Sequence, residues 1–80
     1  MPCFLIQHSH DPLECGVAYR AFKGSDSPLR HHRTLASCPF GGHAIWWSVE
    51  AGTEEEALEL LPFFLAERAT ATRVEQVDIP

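Results

Sequence analysis

The run His43–Ala51, HAIWWSVEA, constrains this chain more than any other segment. It alternates as a strand does, with His43, Ile45, Trp47 and Val49 on one face and Ala44, Trp46 and Ser48 on the other. Pro39-Phe40-Gly41-Gly42 before it is a turn, and Thr34-Leu35-Ala36 before that is strand-like. Residues 33–50 are therefore expected to form a hairpin. One tryptophan lands on each face of its second strand, so both faces carry apolar surface that needs cover.

The flanking segments repeat one pattern. Phe4-Leu5-Ile6 within Cys3–His8 is apolar on both faces, as a central strand is. Asp11-Pro12-Leu13-Glu14 then opens a helix: Asp11 caps, Pro12 takes the first helical position and Glu14 completes a capping box. Cys15, Ala18, Tyr19 and Phe22 form its apolar stripe, and Gly24 with the Ser25–Pro28 cluster ends it. After the hairpin, Thr53 and Glu56 make a second capping box, with Glu54 and Glu55 suited to a helix start. Ala57, Leu60, Leu61, Phe64 and Leu65 supply its apolar face, broken by a kink at Pro62. Thr72–Ile79 is expected to close the chain as an edge strand.

The order β-α-β-β-α-β predicts an α+β, ferredoxin-like domain spanning residues 1–80. Its antiparallel four-stranded sheet would run 4-1-3-2, with two helices on one face. The other face would be bare, and 80 residues bury little surface alone. A second copy packed on the open face is the expected cover, so a homodimer is predicted. Eleven acidic against six basic residues, a net charge of −5, argue against a nucleic-acid binder. No apolar run reaches membrane-spanning length. Nor does a secretory leader pattern follow Met1, so a reducing cytoplasmic compartment is expected.

Five histidines and three cysteines in so short a chain stand out, and three cysteines do not make a fully paired disulfide framework. Topology gathers four of these residues. The first strand ends near His10, and the first helix starts there with Cys15. The second strand ends at Cys38, and the third begins with His43 beside the first. His10, Cys15, Cys38 and His43 thus share one end of the sheet, with His8 in reserve at the same strand parity. Two thiols and two imidazoles suit a tetrahedral transition-metal site, zinc best, with nickel, copper or iron also compatible. The same atoms also fit a thiol site: Cys15 in a first helical turn would have a lowered pKa, with Cys38 as resolving partner.

Structural roles account for the same residues differently. Cys15 lies on an apolar stripe, where free cysteine is commonly buried, and His43 could satisfy a backbone group. Arg30-His31-His32-Arg33 is a local basic patch that reads as a solvated loop. Trp46 and Trp47 read as interface and core, Glu54–Glu56 as a helix start, and Gly41-Gly42 as a turn too short to cradle phosphate.

The elements His10-Asp11-Pro12-Leu13-Glu14-Cys15, Ser37-Cys38-Pro39-Phe40-Gly41-Gly42-His43, Trp46 with Val49-Glu50-Ala51, and Glu59-Leu60-Leu61-Pro62-Phe63-Phe64-Leu65 carry a further signal. Together they resemble small prokaryotic ferredoxin-like proteins of the dimeric α/β-barrel type. That group's pattern has an H-x4-C element, a C-x4-H element and a leucine-proline step late in the second helix. Residues 25–33 depart from it. The last segment is more distantly similar to muconolactone isomerases and small nickel-binding proteins. The resemblance implies the fold and the dimer; chemistry varies across that superfamily. Three functions are weighed. The first is a metal-binding homodimer. The second is a small dimeric isomerase-like or thiol-dependent enzyme, with Cys15 or a histidine acting on a small organic acid between sheet and helices. The third is an interaction module without a site.

Overall fold

A computed structural model of the chain describes residues 1–23, 27–29 and 33–80. Its centre is the pair expected from the apolar patterns. Strand β1 (Cys3–Ser9) lies antiparallel to the later strand Ala44–Glu50 along its full length, from Cys3 opposite Glu50 to Ser9 opposite Ala44. A short strand, β2 (Leu35–Ala36), precedes that partner, which is therefore β3, and Leu35 sits opposite Trp46. On the other side of β1 runs β4 (Ala69–Val74), paired from Cys3 with Val74 to His8 with Ala69. The sheet is wholly antiparallel in the order β2-β3-β1-β4, which is the expected order read from the opposite edge.

Helical segments fill the connections. Pro12–Glu14 is a 3-10 turn leading into α1 (Cys15–Arg20). Asp11 N donates to Glu14 Oε1 at 3.1 Å, the backward half of the expected capping box. Helix α2 (Glu54–Glu59) is capped by Thr53 Oγ1, which accepts from Glu56 N at 3.1 Å. The Glu56 carboxylate reaches one residue further back than a capping box requires, taking Gly52 N at 3.0 Å. Pro62 has no N–H to continue a helical ladder, so the apolar run restarts beyond it as α3 (Phe63–Ala66).

Register decides the core. Phe4, Ile6 and His8 stand opposite Val49, Trp47 and Ile45, so all six share one face. The apolar five form one buried cluster with Ala18 of α1, Ala57 of α2, Leu65 of α3 and Leu61 from the break between α2 and α3. Each fully buried side chain such as Ile6 stabilises by about 1.5–3 kcal/mol. The opposite face holds Leu5, Gln7, Trp46, Ser48, Thr70 and Thr72, and Leu5 and Leu35 are exposed. The two tryptophans divide as expected, Trp47 buried and Trp46 half-buried.

Three expectations need correction. β4 spans Ala69–Val74 rather than 72–79, because small residues with weak strand preference, Ala69 and Ala71, pair with His8 and Ile6 beneath the helices. His43 lies ahead of β3 and takes a left-handed backbone, φ 54°, so strand alternation does not set its direction. Tyr19 is 47 % exposed rather than part of a buried stripe, since α1 turns only Ala18 fully inward. Among the described residues no helix is long and apolar enough to cross a membrane. His31 and His32 of the basic patch lie outside the described residues.

Candidate metal centre

Antiparallel pairing of β1 with β3 brings the end of one to the start of the other, so His10 and His43 leave the sheet together. Their backbones are joined directly: His10 N donates to His43 O at 3.1 Å. Cys15 is delivered from the same strand end by the capped Pro12–Glu14 turn, as the first residue of α1.

Cys38 comes from the connection between β2 and β3, which is tied around Ser37. Ser37 N donates to Ala44 O at 2.9 Å, Ala44 N to Ser37 Oγ at 3.1 Å, and Gly42 N to Ser37 O at 2.9 Å. A side chain at position 42 would place its Cβ 2.2 Å from Ser37 Oγ, so only glycine fits. Gly41, at φ 85°, returns its N–H to Cys38 O at 3.1 Å and closes the 3-10 turn Cys38–Phe40.

Four lone-pair atoms converge at this corner. Cys15 Sγ lies 3.0 Å from His43 Nδ1 and 3.2 Å from His10 Nε2, and Cys38 Sγ lies 3.3 Å from the same His10 Nε2. One ligand atom from each residue falls within 4.8 Å of all the others. Zinc bonds of about 2.3 Å to sulfur and 2.0–2.1 Å to nitrogen put S···N edges of a tetrahedron near 3.5 Å. These three S···N separations are a few tenths of an ångström tighter than that edge. His10 is buried and the other three are half-buried, so the site sits at a rim rather than in the deep core.

His8 stands one step behind. It is completely buried, with Nε2 3.0 Å from His10 Nδ1 and Nδ1 3.0 Å from the Leu65 carbonyl. Both ring nitrogens are engaged, so His8 supports His10 rather than facing the four ligands. Cys3 pairs with Glu50 and Val74 at the opposite end of the sheet.

Electrostatics favour neutral imidazoles here. Burial pushes His8 below its ordinary value, and burial followed by the neighbouring His43 does the same to His10. Neutral imidazole is the form that binds a metal. Cys15 moves opposite to the helix-dipole expectation. Burial first, then the neighbouring Cys38 sulfur, pushes the thiol up. A thiol held protonated by its neighbours is a poor free nucleophile, and a cation is what would release its proton. Tyr19 is pushed up to about 12, first by burial and then by the neighbouring sulfurs of Cys38 and Cys15.

All four residues predicted to gather at this end are brought together. Sequence reasoning missed Tyr19 as a neighbour of Cys38, although its position four residues after Cys15 places it on the same helix face. It also missed the Leu65 carbonyl, because a backbone atom leaves no mark in composition or spacing.

No family model matches the chain, and no curated protein or solved structure matches it.

Proposed function

We propose that this protein binds one transition-metal ion through His10 Nε2, Cys15 Sγ, Cys38 Sγ and His43 Nδ1. The observation that carries this reading is the convergence of two imidazole nitrogens and two sulfurs within 4.8 Å of one another. Zinc is the ion we assign. Two thiols with two imidazoles form a tetrahedral donor set, and zinc accepts that geometry without a ligand-field penalty. Four protein ligands complete the coordination, which supports a structural or storage role over catalysis at an open position.

The scaffold we propose is ferredoxin-like, supported by the order of strands and helices and by the β2-β3-β1-β4 sheet. The partner we propose is a second copy on the open sheet face. Exposed Leu5, Leu35 and Val74 and half-buried Trp46 lie there, and a chain of 80 residues gains much from covering them.

Metal analysis of protein purified without an affinity tag tests the first proposal. One zinc per chain is expected, and its loss in both Cys15→Ser and His43→Ala. Protein that neither contains metal nor takes up Zn2+ or Co2+ refutes it. Sedimentation at micromolar concentration tests the dimer, and a monomer there rejects it.

A further inference from the structure

We propose that His8 is a positioning residue for the metal: it holds His10 in the tautomer that carries hydrogen on Nδ1 and presents the bare Nε2 to the ion. This inference rests on the metal-binding reading above.

The chain of hydrogen bonds determines every proton. Leu65 O lies 3.0 Å from His8 Nδ1, and a carbonyl can only accept, so His8 Nδ1 carries the hydrogen. In a neutral ring the other nitrogen is then an acceptor. His8 Nε2 lies 3.0 Å from His10 Nδ1, so His10 Nδ1 must donate. That leaves the lone pair of His10 on Nε2, the atom 3.2 Å from Cys15 Sγ and 3.3 Å from Cys38 Sγ. The tautomer a metal requires is therefore built before any metal arrives.

Metal-bound histidines ordinarily donate their second N–H to a carboxylate or a backbone carbonyl, which fixes ring orientation. Here a second imidazole is interposed between ligand and carbonyl. His8 lies in β1 and His10 follows two residues later, just past the strand's end, with ring centroids 5.1 Å apart and planes tilted by 37°. His8 is fully buried, and Leu65, which anchors it, is a fully buried residue of α3. The hydrogen-bonded line thus runs from the packed interior of α3 through β1 to the rim. A buried polar residue amid Phe4, Ile6 and Ile45 is accounted for by this task, since nothing in apolar packing calls for an imidazole there.

The test compares the unmodified protein with His8→Phe, which keeps a flat ring but no acceptor, and with His8→Gln. The glutamine amide can accept from His10 and donate to Leu65. Zn2+ affinity is measured against a chromophoric chelator, and the His10 tautomer is read from its 15N shifts in metal-free protein. We expect a fall of about 10–100-fold in affinity for His8→Phe and substantial recovery in His8→Gln. We also expect His10 protonated at Nδ1 in the unmodified protein, and loss of that preference in His8→Phe. Equal Zn2+ affinity in unmodified protein and His8→Phe overturns the proposal, as does a His10 protonated at Nε2 in the unmodified protein. Should His8→Phe not fold, His8→Gln and the tautomer of the unmodified protein decide. Should the unmodified protein bind no Zn2+, the metal reading fails by itself, and this proposal falls with it whatever the tautomer.

Discussion

Replacing His43 by glycine and by alanine separates the role of its backbone from that of its ring. His43 holds φ 54°, a left-handed conformation that lets its Nδ1 reach Cys15 Sγ at 3.0 Å while its carbonyl accepts from His10 N at 3.1 Å. Both substitutions delete the imidazole and its contact with Cys15, so they differ only in what Cβ costs. Alanine at this φ costs about 1–2 kcal/mol through the clash of Cβ with the following carbonyl. Glycine avoids that clash but frees the unfolded chain, which offsets about 0.4–1 kcal/mol. Taking the middle of each range, His43→Gly should be more stable than His43→Ala by about 0.8 kcal/mol. For a domain of this size that is about 3–6 °C in Tm. Scanning calorimetry in chelator-treated buffer measures the difference free of any metal contribution. Neither variant should retain the four-ligand site. An alanine variant as stable as the glycine variant refutes the reasoning, for it would mean that residue 43 is not left-handed and that its ring is not aimed as described.

Other perturbations test the rest of the site. Zn2+ at about 1,000 times its Kd should raise the unfolding free energy by about 4 kcal/mol, or about 16–30 °C in Tm. Cys15→Ser and Cys38→Ser should abolish most of that shift in a thermal melt. His8 and His10 are both held below 6.5, so the unfolded chain takes up more protons than the folded one once pH falls through that value. The stability that their neutral forms contribute is thus present above 6.5 and lost below it, by up to about 1.4 kcal/mol per pH unit for each ring. Urea unfolding of metal-free protein from about pH 7.5 to about pH 5 should show the fall, and a flat profile contradicts it. Tyr19→Phe removes the phenol hydroxyl beside the Cys38 sulfur. The thiolate-to-Co2+ absorption should move to longer wavelength with 1:1 binding kept, and an unmoved band counts against a Tyr19–thiolate contact. Thr53→Ala removes the α2 cap and should cost about 1 kcal/mol, lowering Tm by a few degrees while Zn2+ affinity stays unchanged.

Local signals were most legible where one residue type has one structural use. Thr53 caps α2 and Pro62 ends its run, as their chemistry demands. Alternation in residues 44–50 put Trp46 and Trp47 on opposite faces, and register placed the latter in the core. Legibility failed where neighbours override preference. Ala69 and Ala71 have weak strand preference, yet they take strand geometry because β1 offers hydrogen bonds along its whole edge. His43 reads as the first residue of a strand, but the Gly41-Gly42 turn delivers it in a left-handed conformation.

The site shows the same division. Sequence by itself determined which atoms could bind a metal, because His10, Cys15, Cys38 and His43 offer imidazole or thiol groups where successive elements meet. Periodicity and capping residues determined that those junctions fall at one end of a four-stranded sheet. Tertiary structure alone decided the distances of 3.0–3.3 Å between sulfur and nitrogen, the direction of the His43 ring, and the separate task of His8. The physical reason is range. Element type follows from residues a few positions apart, whereas a coordination sphere and a proton's location depend on atoms such as Leu65 O, which lies 57 residues from His8 along the chain and 3.0 Å from it in space.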